Sequence, residues 1–581
     1  RYKEIEIPIL SFHYIRWWFI DRLIEVWELF VGKVIKDTPL LWLVYFLLGA
    51  KIHPSTKLDA FIREFDLVKI GAHSKLECNL VCRCFSSWKS DDSLRLRFRR
   101  IQVGRKCVIR GLVGIGACVR DSSYIERLAA VPEGAQVPVK MYAKGSPALC
   151  HGEYTQPEEL DNMSSTPNLI LFAVMKIFAI LVELYFFSAC THFGRRILEG
   201  RLPVRFRYTV LLYWFIILLF TSILSMLTCI FLKWILIGKK RPGHAPSHLW
   251  AVFVDWFVDY HFGLSLTFFD VFFENSKLVN IYLIALGMDV DFASHIWAVH
   301  FPPSKLDLIS VRCTFLSTVH LDVKHEGEWK KTEVRNSSVG YSVVLKAGAK
   351  IKDSQVPPLS IVKGTLNGLK SGDAKNPTNY FTDLWCIFFG IVIISSLIVA
   401  YELSQYNAED PAGLGYSVAK LALVFLSQMA TWLCLYTLFQ RIILTKNSQD
   451  GWQPHSQGMY EAYMTITYFL VWRYSLLVLL YGTPYMNFYL RCLGAKVEGR
   501  MYYFAVCSYD HPLLTFRNRT VVDRSVVSGH AVDIHGLHLG ASIVAGVLHS
   551  GVNIMANTDT TGSKELGPSR FVLPNNKNND G

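Results

Sequence analysis

Four stretches of the chain are apolar over lengths that suit a lipid bilayer. Tyr208 to Leu232 is an uncharged run of 25 residues, Leu421 to Gln440 is one of 20, and Leu384 to Tyr401 is slightly shorter. Leu169 to Cys190 is a fourth, interrupted by Lys176 and Glu183. About 20 apolar residues cross the hydrocarbon core as a helix, so these runs predict two transmembrane hairpins, over 167–240 and 381–441. Lys176 and Glu183 fall on one helical face, and an ionisable pair inside a membrane is a candidate for function. The plainer reading is a snorkelling lysine and a glutamate that finds a polar neighbour.

A second pattern has period six. Val113, Val119, Ile125, Val131 and Val137 recur at that spacing, each of the first four followed four positions on by a small residue: Ala117, Ser123, Ala129 and Ala135. Val339, Leu345 and Ile351 repeat the beat in the middle of the chain, and Leu548, Ile554, Thr560, Leu566 and Val572 near its end. In a triangular β-helix each hexapeptide makes one side of a prism. One aliphatic residue then points inward per side, and a small one follows at the corner. Neither a strand of period two nor a helix of period 3.6 produces this beat. The expected fold class is mixed: transmembrane α-helical hairpins plus three left-handed parallel β-helix domains built from hexapeptide repeats.

A longer repeat places the three domains. TPLLWLVYFLLGAKI begins at Thr38, TPYMNFYLRCLGAKV at Thr483, and a degenerate copy, SKLVNIYLIALGMDV, at Ser276. An aromatic stretch precedes each copy (Tyr14–Phe30, Trp250–Phe273, Tyr468–Tyr481), as suits helices lying at the headgroup level. The organisation expected is interfacial helices over 1–48, 246–286 and 459–493, each leading into a hexapeptide domain, over 49–155, 287–370 and 494–575. Only the first copy lacks a preceding hairpin, and the chain opens on Arg1 rather than methionine, so a fragment with an upstream hairpin is expected.

Composition adds compartment and partners. The chain is 51% apolar and 18% charged, with a net charge of +13, which fits an anionic membrane face. The basic residues are scattered or sit beside apolar runs, not gathered in one soluble patch, which argues against nucleic acid. Thirteen cysteines in so long a chain are no disulfide framework, and Cys78, Cys82 and Cys84 lack a second pair at zinc spacing. Lys233, Lys239, Lys240, Arg241, Arg441 and Lys446 follow the hairpins and favour cytosolic domains. The arginines from Arg195 to Arg207, and the sequons at Asn336 and Asn518, point the other way. The expectation is a multi-pass integral membrane protein with its hexapeptide domains in the cytosol.

The whole plan resembles the C-terminal half of the ε-poly-L-lysine synthetase type of nonribosomal peptide synthetase. IGKKRPG at 237–243, YIRWWFIDRL at 14–23, the TP-to-LGAK element at 38–51 and 483–496, and FDLVKIG at 65–71 carry the resemblance. It implies tandem domains that join amino-acid monomers delivered on a carrier's phosphopantetheine arm. No adenylation loop, carrier serine motif or His-His-x-x-x-Asp-Gly of conventional condensation domains is present in this sequence. No cofactor is therefore expected on the chain itself, with phosphopantetheine on a separate or upstream carrier. The partners implied are that carrier, an amine acceptor and membrane lipid. Gly145-Ser146-Pro147-Ala148 resembles the exit of hexapeptide acyltransferases, which act as trimers with a histidine base in the groove between prisms. Three prisms in one chain could form an intramolecular pseudo-trimer.

Amide formation needs a base titrating near neutral pH to take the amine proton. The position after the opening coil holds His530 in the last region, with Asp533 nearby, and His320 in the middle region, with Asp322 nearby. The first region has Asn79 there and would lack a base. The candidate catalytic residues are therefore His530, Asp533, His320 and Asp322; His325, His535, His538 and His549 read as surface histidines. A histidine that merely caps a coil is the plain alternative for both bases. The leading function is amide-forming acyl or aminoacyl transfer within a carrier-dependent peptide synthetase. A non-catalytic membrane scaffold and a stand-alone acyltransferase using acyl-coenzyme A are the competing readings.

Overall fold

The structure is a computed structural model. Apart from short gaps it describes residues 2–154, 166–199, 207–368 and 480–572, with strands 444–447 and 451–454 and a few positions around 460. The expected spans Leu384–Tyr401 and Leu421–Gln440 lie outside the described residues, Gln440 excepted, as does most of Tyr468–Tyr481.

The longer helices among the described residues are α1 (Phe12–Trp27), α2 (Pro39–Leu47), α3 (Thr166–Glu199), α4 (Arg207–Leu232), α5 (Leu249–Phe273), α6 (Leu278–Ala285) and α7 (Pro484–Cys492). Ser11 caps α1 by accepting from the Tyr14 amide at 3.2 Å, as an N-cap serine should. The long sequence repeat is a helix-stop device. Gly49, Gly287 and Gly494 end α2, α6 and α7 at φ +104°, +101° and +97°, a backbone that glycine reaches without Cβ strain. The next amides, of Ala50, Met288 and Ala495, then reach back to the carbonyls of Tyr45, Leu283 and Leu490 at 2.9, 3.0 and 3.0 Å. This closes each helix as a Schellman motif and turns the chain into the first strand of a stack.

Three stacks of short parallel strands follow. In the first, Lys51–Ile52, Val68–Ile70, Ile101–Val103, Cys118–Val119 and Gln136–Val137 lie side by side. Ile52, Ile70, Val103, Val119 and Val137 are buried along the stack axis. The second stack is built on Asp289–Val290, Ile309–Arg312, Thr332–Arg335 and Lys350–Lys352, and the third on Met501–Phe504, Thr520–Asp523, Val547–Leu548 and Glu565–Leu566. Each stack is broken by an excursion: hairpins formed by Arg83–Phe85 with Arg95–Phe98, Lys324–His325 with Glu328–Trp329, and His530–Asp533 with Gly536–Leu539.

These features correct the expected fold class. The described residues show many short parallel sheets rather than left-handed β-helix domains, and no set of multi-span hairpins. Period six identifies which side chains turn inward; it says nothing about where the chain leaves a stack. The antiparallel hairpins and long excursions interrupt the regular coil that the beat implied. In the third stack, for example, Phe516 pairs with Val544, and the His530–Leu539 hairpin lies between them in the chain. Among the described residues, two helical segments are long and apolar enough to cross a membrane, Pro167–Gly194 and Ile216–Ile237.

The first and third stacks share one hydrophobic core. Tyr14 and Trp18 of α1 donate to the Gly482 and Tyr481 carbonyls at 3.0 and 2.6 Å, and Arg83 meets Asp523 at 3.3 Å. The second stack has its own core and meets the first through charged groups, Asp322 with Arg110 and Lys346 with Glu126, both at 3.3 Å.

Candidate active site

His530 opens the hairpin that leaves the third stack, pairing with Leu539. Its carbonyl accepts from Ser528 Oγ at 3.2 Å and from the Ala556 amide at 3.3 Å. The residue is therefore anchored to the stack although the hairpin projects from it. Its imidazole is directed onto a turn twenty positions earlier. There Asp510, at φ +56°, starts the short 3-10 turn His511–Leu513, with Pro512 at its head. A non-glycine residue in this left-handed region costs about 1 kcal/mol, and aspartate is among the few that accept it.

Nδ1 of His530 lies 2.6 Å from Oδ2 of Asp510, whose side chain is fully buried while that of His530 keeps 12% exposure. The other carboxylate oxygen accepts from the Tyr460 hydroxyl at 2.7 Å. The Asp510 amide donates to the Tyr463 hydroxyl at 3.3 Å. The rings of Tyr460 and Tyr509 stand edge-on to the imidazole at 5.8 and 5.7 Å. A carboxylate at Nδ1 holds the proton there, leaves the lone pair on Nε2, and stabilises the cation that forms when Nε2 is protonated. Nε2 has no hydrogen-bond partner among the described residues. The neighbouring His511 is fully buried against Ser508 Oγ at 2.9 Å. Burial pulls its pKa down to about 4, so it stays neutral and does not compete for the proton.

The other sequence candidates fall differently. Asp533 lies in the same strand as His530, with its backbone paired to Gly536; its side chain is outside the described residues, and the carboxylate found on His530 is that of Asp510. His320 pairs with Val344 inside the second stack. Asp322 bonds to Lys346 Nζ at 3.0 Å and Arg110 Nη1 at 3.3 Å. Burial pushes the Asp322 carboxyl up, but Arg110 and Lys346 outweigh it and hold the group below the usual carboxylate range. Asn79 accepts from the Phe61 amide at 2.8 Å and so fastens a turn. His549 is not simply a surface residue: its Nδ1 lies 3.3 Å from Cys84 Sγ, across the seam between the third and first stacks.

Lys176 and Glu183 do not pair with each other. Lys176 reaches the Asp37 carboxylate at 3.2 Å, and Glu183 meets His261 of α5 at 2.8 Å. Neither Asp510 nor His261 could have been picked out by spacing, because each reaches its partner from a different element. The residue type was the only available signal: a buried histidine demands a polar partner. No protein-family model matches the chain, and no curated protein matches it.

Proposed function

We propose that this chain is a membrane-bound transferase that forms amide bonds between a thioester-linked aminoacyl group and a free amine. His530 is the general base. The acceptor nitrogen attacks the thioester carbonyl, Nε2 of His530 takes the proton released from that nitrogen, and the departing thiolate recovers a proton from the imidazolium. Asp510 holds the imidazole in the required tautomer, and Tyr460 fixes the carboxylate. The observation that carries this reading is the 2.6 Å contact between His530 and a fully buried carboxylate. Such a pairing gives a histidine a base's orientation, whereas a histidine that only caps a turn needs no buried anion behind it.

The thioester donor is proposed to be a phosphopantetheine-bearing carrier, in keeping with the sequence resemblance. The chain is proposed to be multi-pass, with its stacks on the cytosolic side. In support, Pro167–Gly194 and Ile216–Ile237 are long and apolar enough to cross a membrane, and Lys239, Lys240 and Arg241 directly follow the second, in keeping with the positive-inside tendency. The test is amide formation from an aminoacyl-pantetheine thioester and a free amine by the purified chain in detergent. His530→Ala is expected to lower turnover by roughly 10²–10⁴-fold. Undiminished product from a folded His530→Ala protein removes the residue from the reaction.

A further inference from the structure

The first stack carries a basic groove that runs up to the end of α2. The groove has a volume of about 1030 Å³ and is lined by Lys51, His53, Lys69, His73, Arg105 and Lys106, with Phe46 at its rim and, among the described residues, Asp121 as its one carboxylate. Oδ1 of Asp121 accepts from the Arg105 backbone amide at 2.8 Å. Lys51 and Lys69 are register partners on adjacent strands. Like charges directly opposite each other in a sheet are unfavourable, and among the described residues neither lysine forms an ion pair. His53 and His73 repeat the juxtaposition, their rings 6.3 Å apart. A fold has no need of this arrangement, whereas an anion seated between the rungs would turn the repulsion into attraction.

The surroundings identify the kind of anion. Trp42 of α2 donates to the Ile52 carbonyl at 3.0 Å, so the helix is tied to the strand that bears Lys51. Leu43, Phe46, Leu47 and Leu48 at its end are exposed, Leu47 by 74%. The same helix packs on α3, which holds a segment long and apolar enough to cross a membrane. Lys176 of α3 joins the Asp37 turn that precedes α2. Apolar side chains bare to the surroundings, a basic groove next to them, and a membrane-length helix alongside are the three elements of a site at the bilayer surface.

We infer that this groove binds the headgroup of an anionic phospholipid, with the phosphate between Lys51, Lys69 and Arg105 and the acyl chains lying along Phe46 and Leu47. The inference is independent of the transferase reading and holds or fails without it. Native mass spectrometry of the full chain in detergent, titrated with dioleoylphosphatidylglycerol or dioleoylphosphatidylcholine, tests it directly. The wild-type chain is expected to bind the anionic lipid at least tenfold more tightly. Each cation removed should cost roughly fivefold, so Lys51→Gln, Lys69→Gln and Arg105→Gln together should abolish the preference. No preference in the wild type, or a preference that survives the triple substitution, overturns the assignment. Glycerol phosphate binding as tightly as the lipid also overturns it, by showing a soluble phosphate site. Should the triple variant not fold, Lys69→Gln alone, at an exposed position, must weaken the anionic lipid about fivefold; unchanged affinity rejects the proposal.

Discussion

Asp510 reaches His530 from a left-handed turn twenty residues upstream and places a fully buried carboxylate oxygen 2.6 Å from Nδ1. The pair makes a sharp prediction about which aspartate matters. Asp510→Asn keeps the shape but can present an amide hydrogen to Nδ1 and move the imidazole proton to Nε2, the wrong tautomer for a base. Turnover should fall by roughly 10²–10⁴-fold with little change in KM for the thioester. Asp533→Asn should lose less than about tenfold. Steady-state kinetics on the two variants separate the assignments, and equal losses would restore Asp533 to the site.

How this pair was hidden in the sequence is instructive. His530 stands out because it follows the opening coil of the last region and is a residue type that titrates near neutral pH. Asp533 was the nearest carboxylate along the chain, but proximity in sequence is a poor guide where the chain leaves a stack and returns. The partner came from the preceding rung, and that offset depends on loop lengths that no period reveals. The same physics explains the fold. Val119, Ile125 and Val131 advertise buried positions because burial is local to each strand. The hairpins that break the stacks are set by long-range pairing, so the period implies a regular coil where the chain makes excursions. By contrast, the LGAK copies were legible because a helix stop is local: one glycine at positive φ and one backward hydrogen bond suffice.

The Asp322 contacts predict a seam that weakens in acid. Its carboxyl lies below the ordinary carboxylate range when folded, with Arg110 and Lys346 outweighing the opposing effect of burial. A depressed folded pKa contributes stability above the unfolded value near 4, and that stability is lost as pH falls through the folded pKa. The contact between the first and second stacks should thus be intact at neutral pH and loosen below about pH 4. Asp322→Asn should reproduce the loosening at pH 7, at a cost of about 1–2 kcal/mol given the partial exposure of all three groups. Hydrogen exchange of the Val319–Leu321 amides reports it, and unchanged exchange in the variant would show that these ions contribute nothing.

His511 predicts a second, distinct pH dependence. It is fully buried, and burial lowers its pKa from the ordinary value of 6.5 to about 4, against a smaller opposing pull from Asp510. Because the folded state resists protonation, the third stack should be stable above about pH 6.5 and lose stability progressively down to about pH 4. The loss is on the order of 2–3 kcal/mol. His511→Asn can keep a bond to Ser508 without titrating, so its stability should be flat across that interval. The measurement is hydrogen exchange of the Leu514–Phe516 amides from pH 7 to pH 4.5 in both proteins. A slope that persists in His511→Asn would assign the titration to another group.

The Glu183–His261 contact predicts a non-additive pair. Glu183 of α3 touches His261 Nδ1 at 2.8 Å, and His261 Nε2 donates to the Ser225 carbonyl of α4 at 3.1 Å. One imidazole therefore ties three helices together, with Glu183 and His261 both buried. Removing one member of a buried polar pair strands the other without water, a loss of about 3–5 kcal/mol. Glu183→Leu or His261→Leu alone should each lower the thermal midpoint of the detergent-solubilised protein. The double substitution leaves no stranded charge and offers apolar packing in its place, so it should recover most of that loss. A double mutant as unstable as the sum of the singles would show that each residue is held by groups other than its partner, and the three-helix tie would have to be sought elsewhere in the bundle.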